Sequence, residues 1–99
     1  MDISAYVIVD IKVEEEAVFK QYAELADALL QKVPGFRNLT LDPQPETLEG
    51  TWKPSIVVVH EFPTYEAAKQ FYYSDDYAPL IKLRQSGTQA NVILVNGRA

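Results

Sequence analysis

Ser55-Ile56-Val57-Val58-Val59-His60-Glu61-Phe62 contains four β-branched aliphatic residues in a row with no polar residue among them. β-Branched side chains favour extended backbone, and successive side chains along a strand point to opposite faces, so this run is apolar front and back. Such a strand belongs in the middle of a sheet covered on both sides. Asn91 to Asn96 encloses a second run of the same kind, Val92-Ile93-Leu94-Val95.

Between these runs the period changes to that of a helix. Pro63-Thr64 opens it, with Thr64 placed to accept a bond from an orphan amide as N-cap, and Ala67, Ala68, Phe71 and Tyr72 supply its inner face. Ser74-Asp75-Asp76 reads as a break and a fresh cap, after which Leu80, Ile81, Leu83 and Arg84 continue helically from Pro79 until Gly87 stops them. Toward the amino terminus, Gly50-Thr51-Trp52-Lys53-Pro54 is a turn. Phe36 to Leu41 alternates as a strand, and Glu46 to Glu49 offers a resumption of it. Asp42-Pro43-Gln44-Pro45 interrupts the two, and prolines that cannot donate to a ladder put this stretch at a sheet edge.

Glu14 to Val33 carries a stripe of Val18, Tyr22, Leu25, Ala26, Leu29 and Val33, widened by Phe19 and Leu30, which predicts a helix ended by Pro34-Gly35. Glu14-Glu15-Glu16 is read as a charged helix start, complementing the partial positive charge there, ahead of an acidic docking patch. From Ile3 to Val13 one face is Ile3, Ala5, Val7, Val9, Ile11 and Val13, and the other is Ser4, Tyr6, Ile8, Asp10 and Lys12. That alternation predicts the first strand.

The order is therefore βαββαβ, which with right-handed crossovers gives an α+β ferredoxin-like plait: a four-stranded antiparallel sheet with two helices on one face. Two helices hide only one side. Tyr6, Ile8 and half of each apolar run point to the other, where exposure costs on the order of 25 cal/mol per Å². A second copy is the expected cover, so a homodimer through the sheet face is predicted.

The 99 residues, 47% hydrophobic, suit a single domain over 1–99. A formal charge of −5, with Lys and Arg scattered singly, offers no basic stripe, and nucleic acid is not an expected partner. Cysteine is absent, which removes disulfides and thiolate chemistry. Met1-Asp2-Ile3-Ser4 has no basic leader, and no apolar run approaches the ~20 residues of a membrane span, so a cytoplasmic location with no membrane partner is expected.

Several segments resemble the domain of unknown function family numbered 1330, within the dimeric α/β-barrel superfamily. They are Leu48-Glu49-Gly50-Thr51-Trp52-Lys53-Pro54, Val57-Val58-Val59-His60-Glu61-Phe62-Pro63, Ala67-Ala68-Lys69, Tyr72-Tyr73-Ser74 and Leu83-Arg84-Gln85. The resemblance implies a ferredoxin-like subunit whose sheets pack face to face in a dimer, and it brings no established activity. The chain departs from the family's usual Gly-Gly before the second strand and Arg-Gly-Gly-like segment after it, having Pro34-Gly35 and Leu41-Asp42-Pro43 instead.

Three residues are candidates for catalysis. Asp10 and Glu61 are expected on one face of neighbouring strands, where paired carboxylates would raise one another's pKa and yield a proton acceptor; pairing with Lys12, Arg84 or a partner chain is the alternative. His60, the single histidine, is a structural residue of the apolar layer, or a general base, or a haem ligand as in some distant relatives of the superfamily. It points opposite to Glu61, so the two cannot share a metal, and no metal or cofactor is expected. Tyr6, Trp52 and Tyr72, with Arg84 at the mouth, are the candidate substrate-binding residues, suited to a small aromatic or anionic compound unless they are packing. Two functions stay open: a small-molecule-binding homodimer, in one version a cofactor-free enzyme of proton-transfer or oxygen chemistry, and a non-catalytic structural or regulatory dimer with a filled core.

Overall fold

The computed structural model describes residues 3–99; Met1 and Asp2, part of the amino-terminal stretch read above, lie outside the described residues. The elements are β1 (Ala5–Val13), α1 (Glu16–Leu30), β2 (Arg37–Asp42), β3 (Ile56–Phe62), α2 (Tyr65–Tyr72), α3 (Ala78–Gly87) and β4 (Thr88–Asn96). The four strands form one antiparallel sheet in the order β2-β3-β1-β4. This is the predicted ferredoxin-like α+β architecture.

The register shows which residues share a face. Val7 stands opposite His60 and Leu94, Val9 opposite Val58 and Val92, and Ile11 opposite Ile56 and Ala90. These side chains meet the helices, and Val7, Val9, Ile11, Val58, Phe62, Leu30 and Ala68 form the buried core. The other phase holds Tyr6 opposite Glu61 and Val95, Ile8 opposite Val59 and Ile93, and Asp10 opposite Val57 and Asn91. Among the described residues no element covers that face, and they form a slab of 39 × 35 × 16 Å.

Local chemistry explains the boundaries. Thr64 Oγ1 accepts from the Ala67 amide at 3.0 Å, the predicted N-cap of α2. Ser74 Oγ accepts from the Tyr77 amide at 3.2 Å and donates to the Phe71 carbonyl at 2.8 Å, which closes α2 and starts α3 at the expected break. Gly35, at φ 80°, makes the turn after α1 that a Cβ would oppose.

Beside shifts of one or two residues at the ends of β1 and β2, four features differ from the sequence reading. Helix α1 is shorter than Glu14–Val33, because the amides of Glu14 and Glu15 both donate to the Gly87 carbonyl at 2.9 Å and hold the lead-in outside the helix. Strand β4 begins at Thr88, with no loop after α3, since β1 offers ladder partners as far as Val13. Glu46–Glu49 does not resume β2; the segment between Asp42 and Ile56 is irregular. A register shift between Asn38 and Thr40 breaks the alternation of β2, the exposed edge strand.

Candidate functional site

The sheet itself divides the predicted site residues. Tyr6, Asp10 and Glu61 lie on the open face, with Trp52 reaching Asp10 from the loop at its end, whereas His60, Tyr72 and Arg84 lie on the helix side. Tyr6 and Trp52 therefore share no pocket with Tyr72, and Arg84 is no mouth residue, being only 4% exposed.

On the open face the two carboxylates are separate. Asp10 pairs in register with Val57 and Glu61 with Tyr6, four residues along the strand, or about 13 Å at the usual rise. Each has its own partners. Asp10 accepts from the Trp52 indole at 3.1 Å and the Ser55 amide at 2.9 Å, which ties the β2–β3 loop to the end of the sheet. Glu61 accepts from the Tyr6 hydroxyl at 3.0 Å and meets the exposed Arg37 guanidinium at 3.4 Å. The hydrogen bond to Glu61 holds the Tyr6 phenol above its ordinary range. The expected carboxylate dyad is thus replaced by two separate anchors.

On the helix side lies a cavity of about 260 Å³. Helix α1 stands over it and packs chiefly on α3, while α2 sits on the strands. Val7, Val9, Ile11, Val58 and Val92 form its floor. Aromatic rings follow one another along it: Phe62 to Phe71 at 5.9 Å, Phe71 to Tyr77 at 4.6 Å, and Tyr77 to Tyr22 at 6.4 Å between centroids, with Phe36 packed behind Phe62 at 5.5 Å. Its exposed lining residues, Ala23 and Asp27 of α1 and Asn38 and Leu41 of β2, place the opening between that helix and the edge strand.

Few polar groups face this space. His60 stands edge-on to Phe36, 5.1 Å between centroids, and its burial lowers the imidazole pKa to about 4 against the opposing pull of Asp27. The ring is therefore neutral at pH 7, an acceptor as well as a donor. Tyr22 and Tyr77 hydrogen-bond to each other, and burial raises both phenols above their ordinary range. The Arg84 guanidinium lies 5.8 Å from the centre of the Tyr22 ring. Its Nε is buried without a hydrogen-bond partner, and among the described residues no carboxylate lies within 4 Å of it.

Sequence reasoning missed Tyr22 and Tyr77 as site residues, although Tyr22 stood in the apolar stripe of α1 and so had to face the sheet. A haem ligand role for His60 does not fit: the imidazole is packed against Phe36, and a cavity of about 260 Å³ is below the range of drug-sized pockets. Among the described residues no three His, Asp or Glu side chains converge on a metal position, and no helix is long and apolar enough to cross a membrane.

Fold and cavity together define an α+β ferredoxin-like protein with a small, mainly apolar chamber between its helices and its sheet. The chain belongs to the domain of unknown function family DUF1330, whose profile matches residues 4–98. No curated protein matches it. A protein of unknown function from Rhodopseudomonas palustris is similar in structure, with TM-score 0.79 and 12% identity over 100% of this chain and 85% of that one. SnoaB, a cofactor-independent oxygenase from Streptomyces nogalater, has TM-score 0.70 and 19% identity over 100% and 96%. A dimeric protein of unknown function and ferredoxin-like fold from Bacteroides fragilis has TM-score 0.65 and 15% identity over 95% and 96%. At these identities the likeness is one of fold.

Proposed function

We propose that this chain is a small-molecule-binding homodimer, with one ligand seated in the cavity of each subunit and the open sheet faces packed together. The observation that carries the first half is the cavity of about 260 Å³ at the centre of the subunit, apolar on its walls and polar at a few points. That composition suits a ligand site, with apolar surface for affinity and sparse polar groups for orientation, and favours binding over a structural dimer with a filled core. The second half rests on the uncovered aliphatic strip of Ile8, Val57, Val59, Ile93 and Val95, together with the dimeric ferredoxin-like protein of similar structure.

Of the three catalytic candidates only His60 faces the cavity. A neutral imidazole there can take a proton from an acidic bound compound, though only as a weak base, because the burial that keeps it neutral also disfavours its cation. Cofactor-free proton-transfer chemistry thus has a residue to carry it, and the structural likeness to a cofactor-independent oxygenase is consistent with that. Asp10 and Glu61 act instead as anchors of the loop and of Tyr6. Tyr72, on the cavity wall, contacts ligand, and Trp52 and Tyr6 belong to the sheet-face contact.

The test is an NMR titration with 1-naphthamide and 1-naphthoate, flat compounds of two fused rings. Shifts concentrated at His60, Ala26, Ala68 and Tyr72 support the reading, and their loss in Ala26→Phe, which fills the chamber, localises the site. Absence of any saturable shift with either compound would leave the filled-core dimer as the better account.

A further inference from the structure

Arg84 stands out because it breaks a strong rule without an obvious compensation. A guanidinium 4% exposed, on the last turn of α3, should meet a carboxylate, since a charge taken out of water costs several kcal/mol unless it is paired. Here its Nε has no partner, and among the described residues no acidic group comes within 4 Å. The ring of Tyr22 beneath it, 5.8 Å away, recovers only part of that cost. What remains is a cation directed at a cavity in which Asp27, at the exposed rim, is the single acidic lining residue.

The phenols beside it are also incompletely used. Tyr22 and Tyr77 carry two hydroxyl protons and make one hydrogen bond to each other, so one proton is left to donate. A planar cation and a free phenolic donor, side by side at the closed end of an apolar chamber, are complementary to negative oxygen. The rest of the chamber is ring and aliphatic wall, complementary to an apolar body.

We propose that Arg84, Tyr22 and Tyr77 form an oxyanion site at the closed end of the cavity, which takes a compact, flat, mainly apolar compound bearing a carboxylate or an acidic hydroxyl. It rests on the cavity being a ligand site, and adds the ligand's charge and its orientation: anionic end toward α3, apolar body along the aromatic wall toward His60. With the oxyanion held there, His60 lies at the other part of the ligand, where its neutral ring can exchange a hydrogen bond with it.

The experiment compares a charged probe with its neutral analogue of the same shape. Calorimetric titration at pH 7 with 1-naphthoate and 1-naphthamide should show the carboxylate binding about tenfold or more tightly, the ratio expected for a charged hydrogen bond. That preference should vanish in Arg84→Met and shrink in Tyr22→Phe, both checked for a cooperative melt. In a second arm 4-nitrophenol is added at pH 6; growth of the phenolate absorbance on binding shows that an acidic hydroxyl is accepted as its anion. Preference in the first arm alone assigns the site to carboxylates, and in the second alone to acidic hydroxyls. Equal affinity for naphthoate and naphthamide, with no gain of nitrophenolate, overturns the oxyanion site while leaving the cavity a ligand site. Saturable binding of none of the probes removes the ligand site itself, and the oxyanion site with it. The wild-type ratio decides the matter even where a variant does not fold.

Discussion

Burial has opposite consequences for the two basic side chains of the cavity. For His60 it selects the neutral form, with a folded pKa near 4 against about 6.5 in the unfolded chain. Between those values the unfolded chain binds the proton and the folded one does not, so stability from this group is present at pH 7 and falls as the pH drops from 6.5 toward 4. The loss should be about 3 kcal/mol, and urea unfolding across that window should give a shallower pH dependence for His60→Phe than for wild type. Parallel curves would show an imidazole that protonates as readily in the folded chain as in the unfolded one, and so one that burial does not hold neutral. Arg84 is a buried charge without an acidic partner among the described residues, which costs the fold stability. Arg84→Met keeps the apolar stem and discards the charge, and is expected to raise stability by about 1 kcal/mol, several degrees in Tm for a domain this size, while abolishing anion preference. A destabilisation of about 3 kcal/mol would instead mark the guanidinium as a structural support.

Elements meet at Gly87, where α3 passes directly into β4 and the start of α1 crosses over them. A Cβ built there would lie 2.7 Å from Cβ and Cγ1 of Val18, a β-branched residue with little freedom to move. Gly87→Ala should therefore push α1 off α3 and cost about 1–3 kcal/mol, read from chemical denaturation, whereas Gly50→Ala, with open space around it, tests only its positive φ. Thr64→Ala should cost about 1 kcal/mol through loss of the cap on α2. What was legible in the sequence at this level was whatever had a period or a stop: the apolar runs of β3 and β4, the stripe of α1, the break at Ser74, the turn at Gly35. Thr88-Gln89-Ala90 was not legible as strand, because its place in the sheet comes from β1 extending to Val13, not from its own residues. Nor was the bulge in β2, which depends on its pairing with β3. The division of the site residues was legible in part. Tyr6 shares its phase with Ile8 and Asp10, facing away from the helices, and so could not meet Tyr72; the pairing of Tyr22 with Tyr77 depends on how α1 lies against the start of α3, which no local pattern encodes.

At the scale of the whole molecule the unequal faces of the sheet govern what the chain does in solution. One face is covered by helices; the other leaves Ile93 56% and Val95 36% exposed, beside Ile8, Val57 and Val59, with Glu61 and Arg37 at one end and Asp10 and Trp52 at the other. An aliphatic centre bounded by polar groups is the pattern of a protein contact, and fully burying each such side chain contributes about 1.5–3 kcal/mol. The proposed second copy fits because a sheet face is self-complementary about a two-fold axis, each strip meeting its own duplicate. Ile93→Lys would then place two ammonium groups in that contact, one from each copy, without touching the core on the helix side. Sedimentation equilibrium at low micromolar concentration should find a wild-type dimer and an Ile93→Lys monomer, and the melting temperature of wild type alone should fall on dilution. Leu25→Lys, on the exposed edge of α1, is the matched control and should leave the dimer intact. A wild type that sediments as a monomer, with a melting temperature independent of concentration, would refute the dimer and leave the cavity to function in a single subunit.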